Sequence, residues 1–297
     1  MKINGILNIN KPTGRTSFSI ITWLRKLTGE KHIGHTGTLD PMATGVLPVC
    51  LGQATKITRF LIDTDKSYTA QVELGITTDT FDGDGRIVKR RDAGKITPDN
   101  VINALSSFRG IISQVPPIYS AIKYHGKPYY RFAHSGEMIE PEARTVKINN
   151  LEILELNLPL ITLKVDCGKG TYIRSLANDL GESLGCGAYL KKLIRNRSGI
   201  FTLEDSYSPG QVEEAFTGGD LEKLIYPVDY PLNAYRKMTL SQEEEKIVVH
   251  GGYIMGHETM EQLEELWLAY TNNNKLAAIL DFDLRIKQWH PLIVFTV

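Results

Sequence analysis

Cysteine is scarce in this chain of 297 residues: Cys50, Cys167 and Cys186 form an odd set without CxxC spacing. That argues against a disulfide framework and against a four-ligand zinc site, and it suits a reducing compartment. Long hydrophobic runs are missing too. No stretch approaches the roughly 18 apolar residues of a membrane span, and the start, MKINGILNINKP, meets Asn4, Asn8 and Asn10 before any signal-peptide length is reached. A cytoplasmic protein without membrane contact is the expectation. No GxGxxG follows a strand, and Gly168-Lys169-Gly170-Thr171 lacks the GxxxxGK[ST] order, so nothing supports a nucleotide cofactor. His32 and His35 have no sequence neighbours to complete a metal set, and the DTFDGDGRIV stretch would place Arg91 where an EF-hand needs its closing Glu. Neither metal nor cofactor is expected, and the acidic stretch reads as a turn.

Net charge is absent as well, since 34 Lys and Arg balance 34 Asp and Glu. A phosphate-binding protein usually carries a basic surplus, but here the distribution matters more than the total. Residues 231–297 are net −3 and residues 1–230 net +3. Between Leu184 and Ile200 stand Lys191, Lys192, Arg195 and Arg197 with no acid, a cluster that reads either as a track for a phosphate backbone or as a solvated helix face.

What is present is an ordinary globular composition, 42% hydrophobic and 23% charged, enough to bury a sizeable core. Gly5 to Asn10 reads as a strand and Lys11 to Arg15 as a turn. Ser17 then caps a helix with Ile20, Ile21, Leu24 and Leu27 on one face, stopped by Gly29. Lys66 to Leu74 alternates as a strand, Thr97-Pro98 opens a helix, and Thr162 to Cys167 is a strand leading into a glycine-rich turn. An amphipathic helix runs from Thr171 to Leu184 with Arg174 in its first turn. Val115 to Arg144 mixes Tyr, Lys, Arg and His with Pro and Gly and has no core face, the composition either of an irregular surface excursion or of an arm with stacking and phosphate-binding side chains. Pro227 to Leu232 reads as a linker before a small, mostly β unit.

Lys31 to Pro48 shows neither helical nor strand periodicity and reads as a long functional loop. Within it, GHTGTLDPMATGVLP holds one acid, Asp40, among glycines that permit close approach of a ligand. Alone, an Asp before Pro41 is an ordinary turn or cap residue. The whole string, however, resembles the catalytic loop of the TruB family of bacterial tRNA pseudouridine synthases, which isomerise uridine 55 in the TΨC loop. NKPTGRTS, LGQATKITRFL, DKSYTAQVELG, TDTFDGDG, PPIYSAIKYHGKPYY and KGTYIRSLANDLGESLGCGAYLKKLIR resemble that family's successive blocks over roughly residues 3–232.

The resemblance implies an α+β pseudouridine synthase fold, a mixed and largely antiparallel sheet flanked by helices, in residues 1–232, with an RNA-gripping insertion at about 115–144. Residues 233–297 are similar, distantly, to a small PUA-like β-rich domain; their acids, Glu243, Glu244, Glu245, Glu258, Glu261, Glu264 and Glu265, put its contact with tRNA in doubt. The implied roles are Asp40 as the catalytic carboxylate, Arg174 as the cation that keeps it ionised, and Tyr68 as the pocket tyrosine that stacks on the base and serves the C5 proton. Tyr172 and Leu193 contact the uracil, His35 acts in base flipping, and Lys11 supports the pocket or meets an RNA phosphate. The partner is the tRNA TΨC stem-loop, gripped by 115–144 and by Lys191 to Arg197, with a monomeric enzyme and no obligate protein partner.

Overall fold

The computed structural model describes residues 3–120, 122–124, 127–129, 132, 141–255 and 266–296. In chain order the elements are β1 (Gly5–Lys11), α1 (Ser17–Thr28), β2 (Ile33–His35), β3 (Thr44–Leu51), α2 (Thr58–Ile62), β4 (Lys66–Leu74), β5 (Ile76–Thr78), β6 (Ile87–Arg90), α3 (Pro98–Ser106) and β7 (Gly110–Gln114). After the short pair β8 (Lys123–Tyr124) and β9 (Lys127–Pro128) come β10 (Arg144–Asn157), β11 (Leu160–Cys167), α4 (Ile173–Ser183), β12 (Ala188–Ser198), β13 (Phe201–Thr202), α5 (Pro209–Thr217) and β14 (Ile225–Tyr226). The last part holds β15 (Arg236–Thr239), α6 (Gln242–Val249), β16 (Ile254–Met255), β17 (Trp267–Tyr270), β18 (Leu276–Asp283) and β19 (Gln288–Val294).

A ten-stranded sheet runs in the order β14-β1-β3-β12-β4-β11-β10-β7, with β2 on β3 and β13 on β12. Its pairs are antiparallel except β12 with β3, which is the mixed, largely antiparallel sheet expected. Strand alternation sends side chains to two cores. Leu7, Ile9, Leu47, Val49 and Leu51 face a large core closed by Ile20, Ile21 and Leu24 of α1 and Leu176, Ala177 and Leu180 of α4. Ile6, Val46 and Cys50, from the same strands, face the opposite way onto Phe201, Leu232, Leu268, Tyr270, Ile279 and Phe295. Covered on both faces, β3 is buried along seven of its eight residues and so carries no polar–apolar alternation.

That second core is shared with the β-rich C-terminal part, a five-stranded sheet ordered β15-β17-β18-β19-β16. Its own interior is Leu240, Val248, Leu280, Phe282 and Trp289. The chain end is tied back to the large sheet: Gln53 Nε2 donates to the Thr296 carbonyl at 2.9 Å, Thr296 N donates to Gln53 Oε1 at 2.6 Å, and Lys56 Nζ donates to the Val294 carbonyl at 2.6 Å. Glu243, Glu244 and Glu245 occupy the first turn of α6, where a capping box between Ser241 and Glu244 starts the helix. Carboxylates there meet the positive end of the helix dipole. Glu258, Glu261, Glu264 and Glu265 lie outside the described residues.

Three local expectations are corrected. The cap of α1 is Thr16, which accepts from Ser19 N; Ser17 lies inside the first turn, and its hydroxyl is engaged elsewhere. Lys31 to Pro48 is not one long loop, because β2 and the first part of β3 fall within it; full burial erased the alternation that would have marked β3. Lys191 to Arg197 lies on strand β12, not on a helix face, and pairs with β4.

Candidate active site

Asp40 sits in the connection between β2 and β3, and that connection is held from three directions. Ser17 Oγ accepts from Leu39 N at 2.9 Å and donates to the Leu39 carbonyl at 3.2 Å. Lys11 Nζ donates to the carbonyls of Arg15, Pro12 and Pro41 at 2.7, 2.9 and 3.3 Å. Arg195 donates through Nε to the Val46 carbonyl at 2.6 Å, through Nη2 to Gly37 at 3.1 Å and through Nη1 to Thr38 at 3.4 Å. Gly45 lets β3 approach β12 so closely: its φ is +103°, and a Cβ there would lie 2.3 Å from the Arg195 carbonyl oxygen.

Opposite Asp40 stands the N-terminus of α4. This helix has no side-chain cap of its own; the Gln114 amide serves instead, accepting from Tyr172 N at 2.8 Å and donating to the Tyr172 carbonyl at 3.0 Å. Its second residue, Arg174, is buried and reaches both Asp40 oxygens, Nη2 to Oδ1 at 3.1 Å and Nε to Oδ2 at 3.0 Å. The guanidinium also lies 3.4 Å from Asp82 Oδ2 and donates to the carbonyls of Thr80 at 3.2 Å and Tyr119 at 2.9 Å. A planar fork satisfies so many acceptors in one orientation; a lysine ammonium does not.

Burial pushes the Asp40 carboxyl above its ordinary range, Arg174 and then Lys11 oppose that, and Asp82 and Asp84 add to it. Tyr68, buried on β4, is pushed up by burial and drawn back mainly by Arg195, its cross-strand partner. Leu193 precedes Arg195 by two residues on β12, opposite Ala70, and is buried. Burial also raises the Tyr172 phenol, whose hydroxyl is in contact with Ser120 and which feels both Arg174 and Asp40. His35, on β2, is shifted down by burial and by Arg195, and its Nδ1 accepts from Gly37 N at 3.3 Å, so the neutral ring carries its proton on Nε2.

The fold therefore gathers Asp40, Arg174, Tyr68 and Tyr172 into one electrostatic neighbourhood, with Leu193 beside Tyr68 and His35 on the strand entering the Asp40 turn. Lys11 is corrected as an RNA contact. Its side chain has no exposed surface, its ammonium is engaged by carbonyls that fasten the Asp40 turn, and burial lowers its pKa to about 8. Of the basic cluster, Lys191 pairs with Glu73 at 2.7 Å, Arg197 donates to the Gly199 carbonyl at 3.0 Å, and Arg195 is 1% exposed, leaving Lys192 at the surface. Of the 115–144 insertion, residues 121, 125–126, 130–131 and 133–140 lie outside the described residues; its start is docked on α4 by Ser175 Oγ donating to the Val115 carbonyl at 2.7 Å.

Two residues of this neighbourhood escaped the sequence reading. Asp82 was absorbed into a turn, and only its distance from Arg174 reveals its engagement. Arg195 had a signal: read as a strand, β12 puts Leu193 and Arg195 on one face. Among the described residues no group of three or more His, Cys, Asp or Glu could hold a metal ion, and no helix is long and apolar enough to cross a membrane.

A carboxylate held by a buried arginine with two tyrosines nearby, on this sheet, is the arrangement that the resemblance to pseudouridine synthases implies. The chain matches the TruB family pseudouridylate synthase N-terminal domain over residues 25–173 and the tRNA pseudouridylate synthase B C-terminal domain over 174–233. Similar proteins include the tRNA pseudouridine synthase B of Dehalococcoides mccartyi, 41% identical over 99% of this chain and 97% of that protein, and that of Clostridium tetani, 40% identical over 88% and 89%. Among solved structures, one titled as a Cbf5-Nop10-Gar1 complex matches with a TM-score of 0.73 and 26% identity over 99% of this chain and 84% of the other. The chain belongs to the TruB family and is a pseudouridine synthase, an isomerase.

Proposed function

We propose that this chain converts uridine 55 to pseudouridine in the TΨC loop of tRNA, with Asp40 as the catalytic carboxylate. The observation that carries the reading is the two-point contact of Arg174 with Asp40. Burial alone would drive Asp40 toward its neutral form, and a carboxylate that must act at C1′ has to be charged. The tRNA substrate follows the names of the 40% and 41% identical relatives.

In this reaction the N1–C1′ bond breaks, uracil turns, and a C5–C1′ bond forms; the C5 proton leaves and N1 gains one. No redox partner or nucleotide enters the balance. Asp40 either attacks C1′ or removes a ribose proton to give a glycal. Tyr68 stacks on the base and accepts the C5 proton, Tyr172 and Leu193 wall the uracil, and His35 fills the space left by the flipped nucleotide, an extrusion that costs a few kcal/mol. The neutral His35 ring suits insertion among bases. We infer a monomer acting in the cytoplasm without the partner proteins named in the Cbf5 complex, residues 1–232 forming the catalytic domain and 233–297 a small C-terminal domain packed against it.

The test is pseudouridine mapping of a tRNA transcript incubated with wild-type and Asp40→Asn protein, without ATP or added metal. Product at position 55 with wild type and none with the variant is expected. Turnover by Asp40→Asn at the wild-type rate would end the mechanism, and product at another uridine would end the site assignment.

A further inference from the structure

Arg195 has no part in the chemistry described above, yet it is among the most expensive side chains in the molecule to bury. Taking a guanidinium out of water costs several kcal/mol, and this one is 1% exposed. Three of its N–H groups are directed at the Val46, Gly37 and Thr38 carbonyls. A neutral donor such as glutamine would serve carbonyls without the cost of a buried charge, so the charge itself calls for an explanation.

A guanidinium has five N–H donors, and the remaining capacity of Arg195 lies toward Tyr68, which it faces directly across the β12–β4 ladder and whose phenol feels its charge. Asp40, the carboxylate near Arg195, is already engaged by Arg174. We propose that Arg195 is a positioning residue for the last chemical step, holding the Tyr68 oxygen as the acceptor of the C5 proton. The assignment rests on the pseudouridine chemistry proposed above.

After C1′ has joined C5, that carbon bears both C1′ and its original hydrogen. The C5–H bond breaks, its electron pair becomes the C5–C6 double bond, the C6–N1 π pair moves onto N1, and N1 takes a proton from solvent. The Tyr68 phenol first releases its own proton to solvent, and the C5 proton then passes to the phenolate oxygen, so that the proton lost there balances the one N1 takes up. A cation fixed against that oxygen favours this form, and its contact also orients the lone pairs. Burial holds the Tyr68 phenol above its ordinary value, Cys167 on β11 and Asp40 oppose the phenolate further, and Arg195 is the largest influence in its favour. The same guanidinium, through Gly37 and Thr38, fixes the turn carrying Asp40 relative to Tyr68.

The test uses tRNA carrying either uridine or 5-deuterouridine at the target, in single turnover, with wild type, Arg195→Lys, Arg195→Gln, Tyr68→Phe and the Arg195→Lys/Tyr68→Phe double variant. Circular dichroism identifies folded protein; should Arg195→Gln fail to fold, Arg195→Lys, which keeps the buried charge, carries the test. We expect Arg195→Lys to slow turnover by about 100-fold, the scale of general-base contributions, with tRNA affinity nearly unchanged. The ratio of protium to deuterium rates should rise above the wild-type value as C5–H cleavage becomes limiting. In the Tyr68→Phe background the lysine should cost little more, because the two side chains act as a unit. A slowed Arg195→Lys variant with the wild-type isotope ratio, or losses that add in the double variant, overturns the proposal and leaves Arg195 as a structural brace. Wild-type protein that forms no pseudouridine would overturn the function itself, which separates the two failures.

Discussion

Replacing Arg174 by glutamine removes the cation from between Asp40 and Asp82 while keeping a polar side chain of similar length. In the native protein the guanidinium touches both Asp40 oxygens at 3.0 and 3.1 Å and Asp82 at 3.4 Å. Two unit charges 4 Å apart at an effective dielectric near 20 interact by about 4 kcal/mol. Asp40 keeps 29% of its side chain exposed, so solvent screens part of this, and about 3 kcal/mol of lost attraction is expected. Asp40 already lies above its ordinary value because burial outweighs Arg174; without the arginine it moves further in the same direction. The proposed mechanism needs the carboxylate, so on it the rate climbs as pH rises through the Asp40 pKa, and the variant should climb at higher pH. On the acid side of both limbs that is a loss of about 100-fold at fixed pH. Stability follows the same sign. A carboxyl whose folded pKa exceeds its unfolded one stabilises the fold at low pH and loses that contribution as pH rises through the folded value, so the melting deficit of Arg174→Gln should widen upward in pH. The assay is single-turnover pseudouridine formation across pH, paired with thermal melting at each point. An acid limb at the wild-type position, or a melting deficit that shrinks with rising pH, would refute the electrostatic role of Arg174.

Two structural predictions complete the set. Gly45→Ala forces a Cβ to 2.3 Å from the Arg195 carbonyl at a φ of +103°, so chemical denaturation should report a loss above about 3 kcal/mol, beyond the usual range for one substitution; a wild-type midpoint would show that the β3–β12 contact yields easily. Phe295→Ala empties a largely buried ring site in the core shared by the two sheets at a cost of about 3–5 kcal/mol. The C-terminal strands should then melt ahead of the large sheet, which calorimetry would resolve as a separate transition, and a single unshifted transition would contradict the shared core.

Much of the fold was legible in the chain. Alternation marked β4, the Thr97-Pro98 pair marked α3, and Gly29 marked the end of α1, because each is a local rule acting within a few residues. β3 and β12 were misread for one physical reason: strands buried on both faces, or carrying long side chains that turn inward, do not show the surface–core contrast on which periodicity depends. Ser17 was assigned a cap because Ser caps helices, but tertiary contact with Leu39 decided its use.

By itself, the sequence determined the family, many of the elements and the candidate acid, Asp40, since its loop string and the blocks after it are properties of the chain alone. Only the tertiary structure decided which charges meet. Arg174 lies 134 residues from Asp40 and pairs with it because α4 starts where Gln114 holds its first turn. Asp82 and Arg195 were turn and surface residues on paper; packing turned one toward Arg174 and set the other across the strand pair from Tyr68. Electrostatic partners depend on distance and desolvation, and neither quantity exists until the chain has folded.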